Sequence, residues 1–183
     1  EDTRKEQPGL NVDSSFVEPA KAISEIKRTD TVKHLTSVQF INIGSSTYYQ
    51  VNFNNGYRAK SRLVNASTGE LKEPLTQKEA VDLAIAHLKQ PEAPSGVQYI
   101  TTTAADHEYR DKPLPAYAVT FKGRLNTTVY VAAEMGTVQS FRNNQWRVFD
   151  FLWMLHITDF KSRDNINNWA LRILSALGIV TLL

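Results

Sequence analysis

Tyr49-Gln50-Val51-Asn52-Phe53-Asn54-Asn55-Gly56, residues 49–56, reads as a strand running into a tight turn. Tyr49, Val51 and Phe53 alternate with polar residues, so three large apolar side chains share one face. Asn54-Asn55-Gly56 is a hairpin signal, because Asn and Gly tolerate positive φ. Sixty-eight residues later the pattern returns as Tyr117-x-Val119-x-Phe121, and Lys122-Gly123-Arg124 follows it.

Working outward, more of the chain repeats in the same order. Val38-Gln39-Phe40-Ile41 matches Val97-Gln98-Tyr99-Ile100, and Ala66-Ser67-Thr68-Gly69-Glu70 matches Ala133-Glu134-Met135-Gly136-Thr137. The offsets are 59 and 67 residues, so the second copy carries extra chain around residues 106–113. A helical pattern precedes each copy. The first covers about residues 15–28, with Val17, Ala20, Ile23 and Ile26 on one side and Pro19 suited to the first helical position. The second starts at Thr76 and Glu79, a capping box, with Val81, Ala84, Ile85 and Leu88 as its apolar stripe. Strands are predicted at 37–43, 47–53 and 57–64, and again at 97–103, 116–121 and 125–132.

Helix, strand, strand, tight turn, strand therefore occurs twice. The expected fold is α+β, two tandem units that each pack a helix on a small three-stranded antiparallel sheet. Units of about 60–70 residues bury too little surface to be stable alone, so the two should pack together. The division is a linker at 1–13, unit one at 14–73, unit two at 74–143 and an apolar segment at 144–183.

Composition narrows function. The chain has 183 residues, 42% hydrophobic and 22% charged, which excludes collagen-like or wholly disordered classes. Lys plus Arg is 21 against 19 for Asp plus Glu, so no basic excess points to nucleic acid. There is no cysteine, which removes disulfides, thiol catalysis and cysteine-ligated metals. The four histidines lack metalloenzyme spacing, and no nucleophile elbow or phosphate-binding glycine loop occurs. His107-Glu108, with Asp106 and Asp111, reads as a solvated charged loop. The expectation is a binding or regulatory module, not an enzyme, with no cofactor and no metal.

Two surfaces stand out as candidate sites. Arg58, Lys60 and Arg62 alternate along one predicted strand, about 6.6 Å apart at 3.3 Å per residue. With Tyr48 and Tyr49 they form a candidate face for an acidic peptide or an envelope protein. Strand alternation also allows the two tyrosines to be split, one in the core and one out. The second surface is C-terminal. Residues 146–160 are rich in Trp and Phe, and 171–183 form an apolar run of 13 residues, too short to cross a bilayer. Trp146, Trp153, His156, Trp169 and Arg172 are the candidate membrane-proximal residues.

The chain resembles the PepSY family over residues 14–183. The resembling residues are Lys78-Glu79-Ala80-Val81-Asp82-Leu83-Ala84, the Tyr-x-Val-x-Phe strand, and Asn65-Ala66-Ser67-Thr68-Gly69-Glu70. The run Trp146 to His156 is similar to the membrane-associated branch, in which a PepSY pair lies between transmembrane helices. Unit two departs from the family at Met135 and Thr137. The resemblance implies a periplasmic domain anchored in the bacterial inner membrane, with the C-terminal run as the start of a transmembrane helix. It also implies peptide binding or modulation of a peptidase. The alternative is an accessory domain of a membrane iron-uptake or redox system using His156 or the acidic loop.

Overall fold

The computed structural model describes residues 4–5, 15–104, 106–157 and 169–180. The fold is α+β, with two four-stranded antiparallel sheets. In chain order the elements of the first half are α1 (Pro19–Thr29), β1 (His34–Ile43), β2 (Ser46–Asn54), β3 (Ala59–Asn65) and β4 (Leu71–Lys72). Those of the second are α2 (Gln77–Ala86), β5 (Gly96–Ile100), β6 (Ala116–Phe121), β7 (Thr127–Ala132) and β8 (Thr137–Arg142). α3 (Asn144–Ile157) and α4 (Trp169–Val180) follow. The strand orders are β1-β2-β3-β4 and β5-β6-β7-β8.

The repeat extends to register. Val38 pairs with Val51 and Phe40 with Tyr49 in the first sheet, while Val97 pairs with Val119 and Tyr99 with Tyr117 in the second. Both aromatic pairs are in ring contact, at 4.7 and 4.8 Å between centroids. Gly69 and Gly136 turn at positive φ, and each donates its N–H to the carbonyl four residues back. Val17 and Leu75, each two residues before a helix, donate to the Ala66 and Ala133 carbonyls.

Each sheet has a fourth strand that the sequence pattern does not reveal. β4 is two residues long, and β8 has no strict alternation of polar and apolar residues. The second helix start agrees with the sequence reading, and the first falls four residues after the expected 15, at the proline, which leaves Val17 ahead of the helix. Pro19 opens α1, and both halves of the Thr76–Glu79 capping box form. Strand β1 begins three residues earlier than expected, and Tyr57 lies outside β3, 94% exposed in the hairpin turn.

Alternation gives each sheet two faces. On the first sheet, Tyr49, Val51, Phe53 and Val64 pack on Ala22 and Ile26 of α1. Its other face carries Ile43 and Leu63, which share one core with Leu83 of α2 and with Val119, Phe121, Val129 and Val131 of the second sheet. Three contacts hold that joint. Gln50 Nε2 donates to the Met135 carbonyl at 2.7 Å, Lys72 Nζ reaches Glu79 Oε1 at 2.6 Å, and Gly136 lies against Ile43 and Leu63. The second sheet's other face is covered by its own extra segment. There Tyr109, fully buried, stacks on Tyr130 at 4.8 Å between rings, beside Ile100, Ala116 and Ala118.

Arg4 and Lys5, in the segment read as a linker, bridge to the end of α2, where Lys5 N–H donates to the His87 carbonyl at 2.9 Å. Among the described residues no helix is long and apolar enough to cross a membrane.

Gly136 gives a direct test of the joint. Its φ is +64°, and a Cβ there would stand 2.7 Å from the Ile43 and Leu63 Cδ1 methyls. Gly44 has a similar φ of +61° and open space around it. Gly44→Ala should cost about 1 kcal/mol from the left-handed backbone alone. Gly136→Ala should cost about 2–3 kcal/mol, because two packed methyls must also move. Denaturant unfolding of the two variants measures the difference.

Candidate functional site

The cationic stripe has a different fate from the one its spacing suggests. Arg58 lies before β3, exposed. Lys60 and Arg62 point to the face that α1 covers, and both bind Asp30, the residue capping the C-terminus of α1. Lys60 Nζ and Arg62 Nε each stand 2.8 Å from a different Asp30 carboxylate oxygen. The Asp30 side chain is only 8% exposed. Burial raises the pKa of Asp30, but the hydrogen bonds and charges of Lys60 and Arg62 outweigh it, so the group sits below its ordinary value of 3.8. These two cations therefore anchor a helix end, and only Arg58 is on an open surface.

The tyrosine pair is split, as strand alternation allows. Tyr49 is 2% exposed and donates its hydroxyl to the Val17 carbonyl at 2.6 Å. Tyr48 points to the opposite face, half-buried, with Lys72 Nζ 5.9 Å from its ring centre. The two do not form one receiving surface.

A cleft of about 640 Å³ opens where the first sheet meets the second unit. That volume falls in the range of ligand sites, about 300–1,000 Å³. Ser37, Asn52 and Ser61, side by side on β1, β2 and β3, contribute its polar side. Asn52 Nδ2 donates to Ser37 Oγ at 2.9 Å. Ser61 is 6% exposed, and its Oγ has no hydrogen-bond partner. Pro113, Leu114 and Met135 supply apolar lining, and Arg58 and Lys112 line it too. The sequence reading missed this site. The signal available was the polar row that alternates with Val51 and Arg62, but nothing local says that such a row faces a cleft and not bulk water.

The acidic loop is built into the structure. Arg147 of α3 holds both Glu108 carboxylate oxygens, at 2.7 and 3.2 Å, and reaches Thr128 Oγ1 on β7. Arg142 Nε donates to the Glu108 carbonyl, and its guanidinium lies 3.9 Å from the Trp146 ring centre. Burial, reinforced by Glu108, pushes the Tyr130 hydroxyl up to about 12, so it stays protonated at any physiological pH. His107 Nδ1 accepts from the Tyr109 N–H at 3.0 Å. Among the described residues no three His, Cys, Asp or Glu side chains converge on a metal-sized site.

This network seats the start of α3, and Trp146 is turned to the protein by it. Beyond it, α3 keeps Asp150 and Met154 half-buried and exposes most of its large apolar side chains. Of residues 148–156, Val148, Phe149, Phe151, Leu152, Trp153 and Leu155 are exposed large apolar side chains, with His156 exposed beside them. The Trp153 and His156 rings are 6.1 Å apart. On α4, Trp169, Ile173, Leu177 and Ile179 are exposed, as is Arg172. α4 is 12 residues, about 18 Å at 1.5 Å per residue, against about 30 Å of hydrocarbon.

Comparisons with known protein families, with characterised proteins and with solved structures return no match.

Asp30→Asn should destabilise the fold by about 1–3 kcal/mol, because it leaves two half-buried cations without their partner. The folded-state pKa of Asp30 is depressed, so its contribution is complete above about pH 4 and is lost as pH falls through the folded value. Urea unfolding between pH 7 and pH 2.5 should show a smaller acid loss for the variant than for the wild type.

Proposed function

We propose that this protein is a non-catalytic binding or regulatory module of the membrane-associated PepSY type. In this reading its two tandem units work outside the cytoplasm, against the bacterial inner membrane, and receive a peptide or modulate a peptidase. The observation that carries it is α3. Six large apolar side chains in a nine-residue run are uncovered, on a helix whose start is fixed to the folded body by Arg147 and Glu108. A water-exposed surface of that kind is expected where a lipid surface or a partner covers it. The exposed Trp169 and Arg172 on α4 suit the interface region of a bilayer. The register-level repeat supports the tandem reading, and the tight engagement of Glu108 and Asp30 by arginine and lysine argues against acid–base work by either.

Vesicle flotation tests the reading. With phosphatidylethanolamine–phosphatidylglycerol vesicles, the wild type should float. Replacing Phe149, Leu152 and Trp153 with Ser should weaken binding at least tenfold, since each buried apolar side chain is worth about 1.5–3 kcal/mol. The three side chains are exposed, so the thermal midpoint should not move. Equal flotation of wild type and variant defeats the membrane reading. Stoichiometric iron, haem or flavin in the purified protein would instead assign it to an iron-uptake or redox system.

A further inference from the structure

We propose that the cleft between the two units binds an extended peptide as an added strand on the free half of β3, with a Ser, Thr or Asn side chain of the peptide facing Ser61. The inference rests on reading the protein as a binding module and names the ligand class and the site.

The edge comes first. β4 pairs only with Leu63 and Val64, so Ala59 to Arg62 have β2 on one side and no strand on the other. Backbone direction alternates along an antiparallel strand. Asn65 N–H donates to Glu70 on the β4 side, and Ala66 N–H donates to Thr47 on the β2 side. Counting back by twos from Asn65, the N–H and C=O groups of Ser61 and Ala59 point to the free side. Among the described residues no backbone group meets them. A row of unpaired strand donors and acceptors is a template for another strand.

The cleft is the second observation. It lies over the face that carries Ser37, Asn52 and Ser61, and Arg58, Ala59, Lys60 and Ser61 all line it, so it reaches the free stretch of β3 at the sheet edge. The Pro113-Leu114-Pro115 segment also lines it, and prolines offer no N–H for a competing ladder. The third observation is Ser61 Oγ, unpartnered on a residue 94% buried, an arrangement that costs free energy unless a ligand completes it. In a strand pair, directly opposed side chains share a face about 5 Å apart, and Ser or Thr pairs bond there. A peptide residue opposite Ser61 would place its hydroxyl or amide within reach of that oxygen. Four edge residues match a peptide of about five.

The probe is an array of blocked pentapeptides with Ser, Thr or Asn at the centre and varied apolar flanks, titrated against the full chain by fluorescence anisotropy. Members of the array should bind. Ala59→Pro removes an outward N–H at an edge position where proline is tolerated, and should weaken binding at least tenfold. Ser61→Ala should abolish the preference for Ser, Thr or Asn over Val at the centre. Methylating alternate peptide amides should abolish binding in one register and spare the other. An array without a binder overturns the proposal. So does binding that Ala59→Pro and amide methylation both leave unchanged. Should Ala59→Pro fail to fold in a thermal melt, the methylated peptides decide alone. Flotation run in parallel separates the two readings: lost peptide binding with intact flotation removes the added strand and leaves the membrane module, and the reverse result does the opposite.

Discussion

A β-sheet has two faces, and each of the two units packs only one helix, α1 or α2, on its own sheet. Most of the structure follows from that shortage. α1 and α2 each take one face of their own sheet. The first sheet's second face is covered by the second unit, through α2 and the β7–β8 turn at Gly136. The second sheet is covered differently. Its second face is covered by the segment that the first unit lacks, with Tyr109 stacked on Tyr130. The insertion that breaks the repeat in sequence is thus the element that covers this face.

The cover over the first sheet is partial, and the cleft is where it stops. Gln50 is capped by the Met135 carbonyl, but the next polar row, Ser37, Asn52 and Ser61, is not. A short β4 has a matching effect at the edge, since it pairs two residues of β3 and leaves the remainder without a strand neighbour. Strand addition is favoured at such a place because the main-chain bonds are already oriented and only the peptide must be ordered.

Charges in this molecule mostly position elements. Asp30 with Lys60 and Arg62 holds the end of α1 on the sheet, and Glu79 with Lys72 joins the two units. Glu108 with Arg147 sets where α3 begins. That last anchor matters for the surface, because it fixes one end of a helix on which Val148, Phe149, Phe151, Leu152, Trp153 and Leu155 are exposed.

Period-two alternation, the Asn-Gly turn and the capping box are local properties, so the strands β2, β3, β6 and β7, the start of α2 and the repeat were legible in the sequence alone. The α+β class followed from their order. β4 and β8 were not legible: a strand of two residues carries no period, and β8 is defined by pairing with β7. The sites were less legible than the fold. Lys60 and Arg62 alternate as a solvated stripe would, and nothing local reveals that Asp30, thirty residues earlier, meets them. Ser61 reads as an ordinary polar strand position. Whether a polar side chain faces water, an ion-pair partner or a cleft depends on which surface packs opposite it. That is a long-range contact, and only the tertiary structure decides it.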